Sequence, residues 1–91
     1  MSAALPLADT APTDAIPTAY DHDHRITYLR LLDAAAENAD WHEVAQIVLG
    51  IDPALEPERA KRVWESHLAR ARWMTEHGYR HLLRDGTNGT T

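Results

Sequence analysis

The chain has no cysteine, no apolar run long enough to cross a bilayer, and only isolated glycines, four in 91 residues. The first absence removes disulfides, thiolate metal sites and cysteine nucleophiles together, so stability must come from packing alone. The second removes a membrane span. The start also lacks the basic flank and apolar core of a secretory signal. A transit peptide fits poorly, since Asp9, Asp14, Asp21 and Asp23 all precede the first basic residue, Arg25. A cytoplasmic protein is therefore expected. The scattered glycines exclude a phosphate-cradling loop. Positive charge is also scarce: 9 Lys+Arg stand against 14 Asp+Glu, a formal net charge of -5. That sign disfavours a free-standing DNA binder, whose affinity comes from neutralising phosphates. Neither half compensates, with seven acids and two bases in residues 1–40 and seven of each in residues 41–91.

What is present is a single small helical domain. Pro6, Pro12 and Pro17 interrupt an Ala- and Thr-rich stretch, which predicts a disordered amino-terminal arm over residues 1–23. Small polar residues from Asp85 predict a disordered tail over 85–91. The folded part is then 24–84 and all-α. Ile26, Leu29, Leu32, Ala35 and Ala36 recur at helical spacing, predicting a first helix over 24–38. Asp40 followed by Glu43 forms a capping-box pattern in front of Trp41, Val44, Ala45, Ile47 and Val48, and Gly50 ends that helix. Residues 50–56 read as an extended turn anchored by Ile51 and Leu55, longer than the turn of about 3–4 residues usual between paired helices. Pro57 suits a first helical position and opens a long third helix, whose apolar face is Ala60, Val63, Trp64, His67, Leu68, Ala71 and Met74. Its end at Gly78, with Tyr79 folding back on Met74, and an apolar turn at Leu82 and Leu83 complete the domain.

No residue group points to catalysis, and neither a cofactor nor a metal is expected. His22-Asp23-His24 lies at a flexible helix start without a second ligand cluster, and Gly78 breaks the register between His77 and His81. Carboxylates are dispersed, with no sign of a concave site holding two titratable groups. The third helix carries Arg59, Lys61, Arg62, Arg70 and Arg72, and Arg59, Arg62, Ser66, Arg70 and Trp73 fall on one stripe expected to be exposed. Such a stripe is where a recognition helix places its groove-facing side chains. Glu56, Glu58 and Glu65 share those turns, however, and the preferred reading is a salt-bridged solvent face, Glu58 with Arg62 and Glu65 with Arg72. Trp41 and Trp64 read as core. Trp73 and Tyr28 fall at the edges of the apolar faces, where aromatic side chains often anchor protein contacts.

Three segments carry a family resemblance: Leu29-Arg30-Leu31-Leu32-Asp33, the stretch Trp41-His42-Glu43-Val44-Ala45-Gln46-Ile47-Val48-Leu49-Gly50, and, beyond the Arg-bearing helix, His77-Gly78-Tyr79-Arg80-His81-Leu82-Leu83. Over residues 25–84 the chain resembles the RovC-like transcription-factor DNA-binding domains. The resemblance implies a helix-turn-helix variant with an extended turn before a long third helix. It also implies a role in transcription or in control of conjugative-element transfer. DNA-binding members have a strongly basic third helix; the acids here make the chain resemble a stand-alone antiactivator of the family. That implies a partner that is a transcriptional activator, or a quorum-sensing regulator, bound by mimicry of its helix-turn-helix domain. The implied protein interface is Tyr28, Leu31, Trp73, Tyr79 and Leu83. DNA is then an unlikely partner, and a monomer is expected, with a homodimer as the other possibility. The alternative reading is a sequence-specific DNA-binding regulator that uses Arg59, Lys61, Arg62 and Arg70.

Overall fold

A computed structural model describes residues 7–78, and among these every regular element is helical. A short helix α1, Ala19–Asp23, leads through His24 into α2, Arg25–Ala36. Helix α3, Trp41–Val44, widens into a π-helical turn, Ala45–Leu49. The long α4, Pro57–Trp73, ends in a second π-helical turn, Met74–Gly78. The expected all-α domain is thus observed, with α3 and α4 joined by the extended turn.

Local chemistry sets the boundaries. Thr18 caps α1 by accepting from the Asp21 amide, while the Asp21 carboxylate accepts from the Thr18 amide, a reciprocal capping box immediately after Pro17. Helix α2 stops at a Schellman turn in which Asn38 takes a left-handed φ of 58° and the Ala39 amide donates to the Ala34 carbonyl. Asp40 precedes α3, but its side chain makes no cap hydrogen bond; its carboxylate lies 3.1 Å from His42 Nδ1, so the box expected with Glu43 does not form. Gly50, at φ 72°, turns the chain so that its own amide and that of Ile51 both reach the Ala45 carbonyl. Asp52 then organises the linker, accepting from the amides of Ala54, Leu55 and Glu56. Ile51 packs inward as expected, but Leu55 does not and is 79% exposed.

The core lies where α2, α3 and α4 meet: Leu31, Val44, Ala45, Leu49, Ile51, Ala60, Val63 and Leu68, with Trp41 and Trp64 packed at its margin. The buried face of α4 is the expected one. That of α2 is rotated from expectation: Ile26 and Leu29 face solvent, while Tyr28 and Leu31 are buried. Apolar periodicity alone could not phase this helix, because one of its two buried positions is held by a tyrosine whose hydroxyl has a buried partner.

The amino-terminal segment also departs from expectation. Residues 7–23 are not a loose arm; Leu7 packs on the core, Ala11 is buried, and α1 rests on α4 through hydrogen bonds and ring contacts. The prolines do preclude a long helix, but an extended strap can follow a helix surface without being helical.

Candidate functional site

Helix α4 carries most of the basic residues of the described chain and presents two different sides. Along one, Arg59, Ser66, Arg70 and Trp73 recur at helical spacing beside the core-facing positions. The strap of residues 8–21 lies over this side and consumes much of its polar capacity. Ser66 Oγ accepts from the Ala11 amide at 3.1 Å. Arg70 is only 4% exposed, and its guanidinium donates to both oxygens of Asp21 at 2.9 and 2.6 Å and to the carbonyls of Asp14 and Ile16 at 2.7 and 3.0 Å. Its Cζ sits 3.9 Å from the centre of the Trp73 ring.

Asp21 is the hub of this arrangement. Fully buried, it accepts from Arg70, from the hydroxyl of Tyr28 at 2.7 Å, and from the amide and hydroxyl of Thr18. Burial by itself would raise its pKa; the donors outweigh that and hold it down at about 2. Burial and the hydrogen bond to Asp21 together push the Tyr28 phenol well above its usual range. His67, also fully buried, lies between the Val63 carbonyl, 2.7 Å from Nδ1, and the Tyr20 hydroxyl, 2.6 Å from Nε2. The Val63 carbonyl can only accept, so Nδ1 carries the proton and Nε2 of the neutral ring accepts from the Tyr20 hydroxyl, which itself accepts from the Ala8 amide at 2.9 Å. Burial lowers the His67 pKa, in keeping with a neutral ring. Every buried polar side-chain atom of the described residues is satisfied. These groups are structural: none is left free to act on a ligand.

The other side of α4 faces solvent and presents Glu58, Lys61, Arg62, Glu65 and Arg72. The expected Glu58–Arg62 and Glu65–Arg72 bridges are not among the ion pairs of the described residues. Arg62 turns instead toward the strap, 3.8 Å from Asp9, whose other oxygen is 2.9 Å from Arg59 Nε. Arg59 also reaches Glu56 at 3.2 Å.

The structure therefore divides the candidate residues. Lys61 and Arg62 are exposed, and Arg59 is half-exposed at the edge of the same surface. Arg70 is not available to DNA, because the buried carboxylate of Asp21 holds it. Tyr28 and Leu31, expected at a protein interface, are buried at 3% and 1% exposure and cannot form one without unfolding. Trp73 is half-buried against Arg70 and His77, while Tyr79, His81, Leu82, Leu83 and the tail 85–91 lie outside the described residues. No group of three or more metal-ligating side chains occurs among the described residues. His24 is buried against Tyr20, and His22 contacts Arg25. The sequence reading missed Asp21 and Asp9. The box Thr18-Ala19-Tyr20-Asp21 after a proline was a readable sign of the first; nothing local marks Asp9 as a partner of residues 50 positions away.

Comparison with known proteins adds one match. The family described as T6SS, transcription factor, DNA binding domain matches residues 2–84, which includes the strap as well as the helices. No curated protein matches the chain. The family match overturns the expectation that DNA is an unlikely partner. Net charge was the wrong measure, because it carries no information on where the charges lie: exposed acids more than about 10 Å from a contact are largely screened at ordinary salt. The match is to a transcription-factor domain and not to an enzyme class.

Proposed function

Because the chain belongs to the RovC family of transcription-factor DNA-binding domains, we propose that it is a DNA-binding transcriptional regulator that approaches the duplex with the solvent face of α4. The observation that carries this reading is the exposure of Lys61, Arg62 and Arg72 on one helix whose opposite side is anchored in the core. A helix of 17 residues is about 25 Å long, enough to lie in a major groove across several base pairs. Arg59 lies at the edge of that face and is positioned for the flanking backbone. Glu58 and Glu65 are compatible with base contact, since a carboxylate can accept from the exocyclic amine of cytosine. Arg70 has no part in contact; it fixes the strap and α1 against the helix that would enter the groove.

The test is a fluorescence-anisotropy titration of labelled duplex DNA at several salt concentrations. Affinity is expected to fall steeply with salt. Lys61→Ala and Arg72→Ala should each weaken binding and flatten the logarithmic salt slope by about one if each contacts a phosphate. If the duplex is not retained at low salt, DNA binding is refuted. The antiactivator reading would take its place only if the domain bound a transcriptional activator under the same conditions.

A further inference from the structure

We propose that Arg59 and Arg62 form a seat for a backbone phosphate of DNA and that Asp9 occupies that seat in the free protein, so that residues 8–10 must shift from α4 for full contact. This rests on the DNA-binding reading above and adds a regulatory element to it: the domain partly covers its own DNA face.

The first support is the geometry of the contact. One carboxylate spans two guanidinium groups three positions apart on the helix, Oδ1 at 2.9 Å from Arg59 Nε and Oδ2 at 3.8 Å from Arg62 Nη1. A phosphodiester offers the same feature, two acceptor oxygens on one centre, and arginine pairs well with either anion. The pairing is also not a by-product of helix spacing, since the acid comes from 50 residues upstream.

The second support is the uneven anchoring of the strap. From Ala11 onward it is held by interior contacts: Ser66 on the Ala11 amide, Arg70 on two carbonyls, and Asp21 at the hub. Ahead of Ala11 the holds are weaker. Beyond Leu7, which packs on the core, they comprise one exposed hydrogen bond from the Ala8 amide to Tyr20 and the Asp9 pairs, in which the acid is 56% exposed. Exposed ion pairs of this kind contribute little to stability and weaken with salt. Residues 8–10, between the core contact of Leu7 and the anchors from Ala11 onward, can therefore exchange against a polyanion while the rest of the strap stays in place. If they stayed, Asp9 would set a carboxylate against the incoming phosphate.

The test compares wild type, Asp9→Asn, Arg59→Gln/Arg62→Gln and the triple variant, using a labelled mixed-sequence duplex of about 30 base pairs at low salt. Asp9→Asn is expected to tighten binding about three- to tenfold, and that gain should vanish when both arginines are replaced. Asp9→Ala should behave as Asp9→Asn does, and thermal melts should show both folded, because the side chain is mostly in solvent. If Asp9→Asn binds like wild type while Arg59→Gln/Arg62→Gln binds weakly, the DNA reading survives and the masking is disproved. An equal gain in both backgrounds would show a general charge effect and would also overturn the proposal. Absence of binding by every variant would instead defeat the DNA-binding reading on which it rests.

Discussion

Asp21 and Arg70 form a buried ion pair in which each charge is surrounded by additional partners. Arg70 has two carbonyls beside the carboxylate, and Asp21 has Thr18 and Tyr28. Removing one member of such a pair leaves the other buried without compensation, which typically costs about 3–5 kcal/mol. Arg70→Ala is expected to destabilise the domain by that amount in urea denaturation. Arg70→Lys should recover only part, since one ammonium cannot reproduce the forked donation to both oxygens. Tyr28→Phe should cost about 1.5 kcal/mol, the low end for a hydrogen bond to a charged group, because Asp21 keeps its other donors. Acidity should act through the same residue. Asp21 ionises near 2 in the folded chain against an ordinary value of 3.8, so below that ordinary value the unfolded chain takes up the proton first. Its contribution is therefore complete above about pH 4 and is lost as the pH falls toward 2. His67 acts at a higher pH and in the same direction. Its folded pKa lies below the ordinary 6.5, so stability should decline as the pH drops below that value. Melting temperatures measured from pH 8 to pH 2 should fall in two stages, the upper one reduced in His67→Gln.

Several elements end at a residue suited to that end, and two of those ends can be tested separately. Thr18→Ala removes the cap of a five-residue helix and a donor to Asp21, and should cost about 1–2 kcal/mol. Gly50 has open space around its Cα but a φ of 72°, so Gly50→Ala meets no steric obstacle and carries only the left-handed backbone penalty, about 1 kcal/mol. Both changes should appear as shifts in the urea midpoint with an unchanged slope. Element positions were largely readable: Pro57 and Gly50 stand where the long helix begins and the second helix ends, and the face of α4 followed from Ala60, Val63, Leu68 and Ala71. The orientation of α2 was not readable. Ile26 and Leu29 satisfy helical spacing as well as Tyr28 and Leu31 do, and only tertiary contacts, Asp21 with Tyr28 and the α3–α4 core with Leu31, make the second pair the buried one.

On the scale of the whole molecule the strap is part of the domain. Removing residues 1–23 would strip Arg70 of its carboxylate and both carbonyl partners, Ser66 of the Ala11 amide and His67 of Tyr20. A chain beginning at His24 is expected to be unfolded or molten in near-ultraviolet circular dichroism, because the loss of several buried partners together is comparable to the 5–15 kcal/mol that holds a typical small domain. The sequence by itself determined the all-α class, the long helix, the extended turn before it and the absence of cysteine chemistry. These follow from local propensities and from side-chain spacing along one element. Tertiary structure decided which arginines are free. Arg59, Arg62 and Arg70 share one stripe on a helical wheel, yet Arg70 is interior and Arg59 and Arg62 are shared with Asp9, while Lys61, across the helix, lies open. The physical reason is that a guanidinium's availability depends on which acids the fold brings to it, and here those acids come from about 50 residues away, beyond the reach of any local pattern.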